Sequence, residues 1–171
     1  MEFTPGIYGS WQHVQEQKYK EMKRQLGGLF GEVFSGVILD LGCGFGYLEK
    51  TFKGSAGHSA RQFIGVDNSS EMLRNRAAIF PCVLADGGSL PFKNGSFDSI
   101  ISIDAMHLIR GDDFKRVLKK GGTAMISIFF NDRNYGERKE MLREKLSGMD
   151  IMHDFTIHGR ENEYVAVARK I

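Results

Sequence analysis

The residues best placed to do chemistry are an acid and the glycines next to it. Asp40-Leu41-Gly42-Cys43-Gly44-Phe45-Gly46 closes the apolar run Val37–Leu41 and repeats glycine at every second position. An apolar run of this length reads as a buried strand, and the glycine alternation as a turn where backbone meets a ligand. Glycine suits that turn because it tolerates positive φ and has no side chain to hold the ligand away. Asp40 stands where the strand ends, so its carboxylate would point into the same crevice. Asp67 and Asp86 close two further short apolar runs. A nucleotide-like ligand is the natural occupant of such a crevice.

These residues need a sheet to hold them, and the pattern supplies one. Strands are expected at Val37–Leu41, 63–67, 82–86, 97–103 and 124–129, with helices at Tyr47–Phe52 and 70–79 between them. Another helix, capped by Asp112 or Asp113, should run through Leu118 and stop at Gly121-Gly122. Strands alternating with helices imply an α/β fold, a parallel sheet covered on both faces. The ending differs: strands at 155–158 and 164–168 are separated by too few residues for a parallel crossover. The last strand must therefore run antiparallel to its neighbour. Ahead of the sheet, a helix capped by Ser10 carries Trp11, Val14, Met22, Leu26 and Leu29 near one face. The expected organisation is one domain over 1–171, a helical cap segment at 1–35 and a sheet-bearing core at 36–171.

Composition narrows the class. The 171 residues are 42% hydrophobic with a formal charge of +2, ordinary for a soluble domain and without a basic stripe for nucleic acid. The two cysteines, Cys43 and Cys82, form no CxxC and no zinc spacing, which predicts reduced thiols and no metal site. No positive region leading into an apolar core opens the chain, and no apolar segment is long enough to span a bilayer. A cytoplasmic protein without membrane contact is expected.

The glycine pattern is GxGxG, with Tyr47 where a dinucleotide fingerprint carries its last glycine. Together with the segments on its C-terminal side, it makes the chain resemble the class I S-adenosylmethionine (SAM)-dependent methyltransferases. Asp40 through Gly46 looks like that family's first motif. Ile64-Gly65-Val66-Asp67-Asn68-Ser69-Ser70-Glu71-Met72-Leu73 is similar to its second-strand motif. Leu84-Ala85-Asp86, Leu90-Pro91-Phe92 and Ser96-Phe97-Asp98 resemble its third segment and the approach to the fourth strand. Arg116-Val117-Leu118-Lys119-Lys120-Gly121-Gly122 looks like the stretch before the fifth, although a proline usually stands where Lys120 is.

The resemblance implies a three-layer Rossmann-like sandwich, a mostly parallel sheet with an antiparallel final strand. It implies SAM as cofactor and S-adenosylhomocysteine as product. Asp67 would accept hydrogen bonds from the ribose hydroxyls and Asp86 from the adenine amino group, with the Gly87 N–H on the ring edge. Met72 would pack on the adenine face. The Gly42–Gly46 turn, including Cys43 and Gly44, would lie against the methionine portion, with Asp40 near its ammonium group. Tyr8, Asn68 and Ser102 complete the expected cofactor contacts, and Asp98 reads as structural.

Acceptor chemistry points to Ser102-Ile103-Asp104-Ala105-Met106-His107, which reaches the carboxyl end of the sheet. His107 matches a histidine common there in small-molecule methyltransferases and could orient an acceptor or take its proton. Asp104 is the weaker candidate. Neither 108–122 nor 131–148 offers a large lid, so the N-terminal segment with Tyr8 and Trp11, or a second subunit in a homodimer, would cover the pocket. A small-molecule acceptor is favoured, with protein and RNA acceptors left open. Two other readings stand beside this one: a SAM-binding partner subunit without turnover, and a nicotinamide oxidoreductase.

Overall fold

The computed structural model describes residues 5–52, 61–75 and 80–171. Seven strands form one sheet: β1 (Val37–Leu41), β2 (Gln62–Asp67), β3 (Cys82–Leu84), β4 (Phe97–Ser102), β5 (Leu118–Phe130), β6 (Met149–Ile157) and β7 (Asn162–Lys170). Their order is β3-β2-β1-β4-β5-β7-β6. The pairs β1–β2, β2–β3, β1–β4 and β4–β5 are parallel, whereas β7 runs antiparallel to both β5 and β6. Residues 158–161 alone join β6 to β7, so the short linker imposes the reversal that its length predicts.

Alternation along the strands divides the interior into two cores. Leu39, Ile100 and Ile126 face one side, where Phe114, Leu142 and Leu146 cover them. Ile38, Ile101 and Met125 face the other. There α2 (Gln12–Leu26) contributes Tyr19, Met22 and Leu26, and α3 (Phe30–Val33) and α4 (Tyr47–Phe52) complete the layer. The rings of Phe30, Phe34 and Phe52 lie 4.6 to 5.2 Å apart. The cap segment is thereby built into the same core as the sheet.

Several boundaries differ from expectation. Ser10 does not cap the long helix; it ends α1 (Pro5–Ser10), and α2 starts after Trp11. The expected helix at 70–79 is described as α5 (Ser70–Asn75), and 76–79 lie outside the described residues. Its cap is Ser69, whose Oγ accepts the Met72 N–H at 3.2 Å. The helix before β5 is a single turn, α6 (Phe114–Val117), and Gly121-Gly122 does not stop it. Those glycines lie inside β5, where the register jumps from Phe97↔Leu118 to Ser99↔Thr123. A Cβ on Gly122 would come within 2.8 Å of the Asp98 carbonyl oxygen, so the bulge needs glycine there. The 131–148 segment carries α7 (Tyr135–Lys145), with Leu142 and Leu146 buried.

Asp98 is structural, as its position at the start of β4 suggests. Its Oδ2 accepts the Val37 N–H at 2.9 Å and its Oδ1 meets the Lys119 ammonium at 2.7 Å. Together these pin the starts of β1 and β5 to β4. Asp98→Ala is expected to lower the unfolding free energy by about 1–2 kcal/mol, the loss of a charged hydrogen bond to backbone. Urea denaturation measures it, and an unchanged midpoint would remove Asp98 from this role.

Candidate functional site

The strand order reverses between β1 and β4, and a crevice opens there beyond the carboxyl ends of the strands. The turn after β1 is held against β2 by backbone bonds. The N–H groups of Gly42 and Cys43 both donate to the Val66 carbonyl, at 2.8 and 3.1 Å. Gly44 N–H donates to Asp67 Oδ2 and Ser69 N–H to Asp67 Oδ1, each at 2.9 Å. Gly42, Gly44 and Gly46 all have positive φ (84°, 50° and 74°). At Gly42 a Cβ would also fall 2.3 Å from that of Ala105, so close approach and dihedral both demand glycine.

A cavity of about 1040 Å³ fills the crevice. Of the expected cofactor contacts, Gly42, Gly44, Asp67, Asn68 and Met72 line one wall, with Asp86 and Gly87 beyond them. Asp86 Oδ1 accepts the Gly88 N–H at 2.8 Å. Asp40, Cys43, Gly46 and Ser102 do not line the cavity. Ser102 is buried and donates to the Leu41 carbonyl at 2.8 Å; Gly46 closes the turn through its N–H to the Cys43 carbonyl at 2.9 Å. The Cys43 sulfur turns toward Cys82. Tyr8 falls in α1, and its side chain lies outside the described residues. Trp11, expected only as a cover, does line the cavity.

The same cavity is lined by Gln15, Asp104, His107, Phe129 and Glu161. Lys18 is the organising group beneath it, and nothing in the sequence marks it as such. Its side chain is 4% exposed, and its ammonium lies 2.5 Å from Asp104, 2.9 Å from Glu163 and 3.7 Å from Glu161. Burial opposes the lysine charge, but the Glu163 and Asp104 carboxyl groups outweigh it and hold the pKa above the ordinary value. Glu163 is fully buried, and burial beside Asp104 keeps its carboxyl protonated well above the usual range. It lies beside Asp104 and accepts the Ser127 hydroxyl at 2.5 Å. Burial pushes the Asp104 pKa up, yet Lys18 and the Glu163 hydrogen bond pull it below normal, so Asp104 stays ionised. Its backbone is left-handed (φ 55°), a strained state for a non-glycine residue.

His107 stacks edge to face on Phe129 at 5.9 Å. Burial lowers its pKa, against the upward pull of Asp104, so the imidazole is neutral near neutral pH. Its Nδ1 is buried with no hydrogen-bond partner among the described residues. A neutral imidazole keeps one ring nitrogen as an acceptor, and the His107 side chain lines the cavity.

A second acid pair sits behind the glycine turn. Asp40 and Glu49 are 4% and 3% exposed and lie against each other, and no ion pair reaches either among the described residues. Burial pushes Asp40 up to about 7 and Glu49 well above its usual range, so the pair holds a proton. Glu49 gives no signal in the sequence because a lone acid early in a short helix resembles any solvated one. Among the described residues no group of three His, Cys, Asp or Glu side chains is arranged to hold a metal, and no helix is long and apolar enough to cross a membrane.

Comparison with known proteins gives this geometry a context. Residues 39–126 match the methyltransferase domain family. An uncharacterised protein of Methanocaldococcus jannaschii is 29% identical over 145 residues, 81% of this chain and 65% of that protein. The Xenopus tropicalis tRNA (carboxymethyluridine(34)-5-O)-methyltransferase alkbh8 is 29% identical over 112 residues, 60% of this chain and 17% of that protein. The chain thus spans less than two thirds of either relative. A SAM-dependent methyltransferase from Aquifex aeolicus superposes with a TM-score of 0.65 at 15% identity, covering 91% of this chain and 98% of that one.

Two outcomes test the buried charges. Lys18→Met strands Asp104 and Glu163 without their cation and is expected to cost about 3–5 kcal/mol of stability. A loss below about 1 kcal/mol in chemical denaturation would mean that the cluster is solvated. The raised Asp40 pKa means that the folded chain keeps a proton the unfolded chain releases. That stabilising share is full below about pH 4 and is lost as pH rises through about 7. Asp40→Asn should therefore gain stability relative to the native chain between about pH 4.5 and 8, on the order of 2–4 kcal/mol. A difference that stays flat with pH contradicts the shared proton.

Proposed function

The chain belongs to the methyltransferase domain family, whose cofactor is SAM, and from that premise we propose that it methylates a small-molecule acceptor bound at the His107 end of the cavity. The observation that carries this reading is the single cavity wall uniting Gly42, Gly44, Asp67, Met72 and Asp86. The residues fit the cofactor. The turn is bare of side chains where Gly42 meets Ala105, and Asp67 and Asp86 offer carboxylates for ribose and adenine donors. Asp67 does two jobs, since its oxygens also fasten the turn and the start of α5. Met72, Ala85 and Ile109 give the adenine an apolar slot. Asp40 acts from behind the turn rather than at the wall.

When bound, the cofactor supplies an activated sulfonium methyl, so the protein must chiefly bind, orient and exclude water. His107 is the acceptor-side base, neutral and with Nδ1 free of protein partners among the described residues. Asp104 is committed to Lys18 and Glu163, so its part is to hold charge beside His107 rather than to move a proton. Trp11 and Gln15 of the N-terminal helices close the acceptor end. An RNA acceptor is the second reading, favoured by the similarity to a tRNA methyltransferase.

Titration calorimetry should show S-adenosylhomocysteine binding, and Asp67→Asn should weaken it by about 1–3 kcal/mol, roughly 5- to 150-fold. No binding to folded protein would sink the reading. Labelled methyl offered to small-metabolite, protein and RNA fractions should appear among small metabolites. Label in RNA would replace the first reading with the second, and binding without any transfer would mark a partner subunit without turnover.

A further inference from the structure

Cys43 and Cys82 are the only cysteines of the chain, 39 positions apart, and folding brings their sulfurs to 3.8 Å. Cys43 lies in the glycine turn and is 4% exposed, whereas Cys82 opens β3 and is half-buried. The space beneath both is made by Gly65 of β2, which pairs with Cys82. A Cβ on Gly65 would fall 2.6 Å from the Cys82 sulfur and 2.7 Å from that of Cys43. Any larger residue would drive the sulfurs apart.

The two thiols are not equivalent. Contact with Cys82, then burial, then the charges of Asp40 and Glu49 push the Cys43 pKa upward. Cys43 thus stays a thiol. Cys82 approaches the Phe80 carbonyl at 3.9 Å and is only half-buried, so of the two residues it is the more open to an oxidant.

We propose that Cys43 and Cys82 are an oxidation site whose reactant is a peroxide and whose product is a disulfide tying the cofactor turn to β3. The Cys82 thiolate attacks one peroxide oxygen: an S–O bond forms, the O–O bond breaks, and the departing oxygen leaves as water with the proton lost from that thiol. The Cys43 sulfur then attacks the Cys82 sulfenic acid. The S–S bond forms, the S–O bond breaks, and the hydroxyl leaves as water with the Cys43 proton. Two thiols are oxidised by two electrons, and hydrogen peroxide is reduced to two waters.

An S–S bond is about 2.05 Å long, so the sulfurs must approach by roughly 1.8 Å from their present contact. Side-chain rotation supplies part of this, and the turn supplies the rest. Drawing Cys43 toward β3 pulls on the bonds from Gly42 and Cys43 to Val66 and from Gly44 to Asp67. Gly42, Gly44 and Asp67 form the cavity wall, so oxidation deforms the surface on which the ligand rests. This consequence rests on the methyltransferase reading; formation of the disulfide does not.

The test treats the full chain with hydrogen peroxide, removes the excess with catalase, and monitors intact mass, cross-linked peptides and S-adenosylhomocysteine calorimetry. The oxidised chain should be about 2 Da lighter, with a peptide joining Cys43 to Cys82. Its affinity should fall about tenfold, the equivalent of one lost hydrogen bond, and return with dithiothreitol. Cys82→Ser should bind like the reduced native chain before and after peroxide. Oxygen adducts without the joined peptide overturn the proposal, as does a joined peptide with unchanged affinity. If the reduced chain binds no S-adenosylhomocysteine, the functional reading falls instead, and the joined peptide alone then decides the dithiol.

Discussion

Three backbone N–H groups in one short turn, those of Gly42, Cys43 and Gly44, are all satisfied by the end of the neighbouring strand. Two go to the Val66 carbonyl and one to the Asp67 carboxylate. Buried polar backbone must be paired, and pairing it here forces the turn into left-handed dihedrals that side chains resist. The part of the cavity wall that Gly42 and Gly44 form depends on this turn lying against β2. Asp67 is therefore both wall and fastener. That double duty explains why a carboxylate, with lone pairs to spare, stands at the end of this strand.

The rest of the site is governed by the cost of burying charge. Lys18 crosses from α2 to meet Asp104 after β4 and Glu163 in β7, joining elements remote in sequence. Three carboxyl groups around one ammonium cannot all ionise in a dry site, and Glu163 keeps its proton. The cluster keeps Asp104 charged beside a neutral His107, two titratable groups pushed apart by their surroundings. The Asp40–Glu49 pair obeys the same logic behind the turn. The N-terminal helices are thus bound to the site by electrostatics as well as by the aromatic contacts of Phe30, Phe34 and Phe52.

Much of this was legible in local pattern. The apolar runs located the strands, the acid and glycine alternation located the turn, and the short linker expected at 159–163 required the reversed last strand. Misread boundaries have a common cause. The Gly121-Gly122 pair looks like a helix stop, but β4 lies close enough there that only glycine fits between Asp98 and Leu118. Ser10 has the chemistry of a cap without the position, because Trp11 breaks the helix one residue later. Asp40 and Ser102 have the right residue types for a ligand contact, and both are buried behind the residues that line the cavity.

By itself the sequence determined the fold class, the place of the glycine turn and the acids Asp67 and Asp86 that line the cavity. Each of these is encoded within a few residues, by periodicity, by dihedral demand or by linker length. Tertiary structure alone decided which charges are buried together and which protons they keep. It also decided that Trp11 and Gln15 line the same cavity as the glycine turn and that the two cysteine sulfurs meet over Gly65. Pairings across the sheet depend on desolvation and on distances between segments far apart in the chain, and neither quantity exists until the chain is folded.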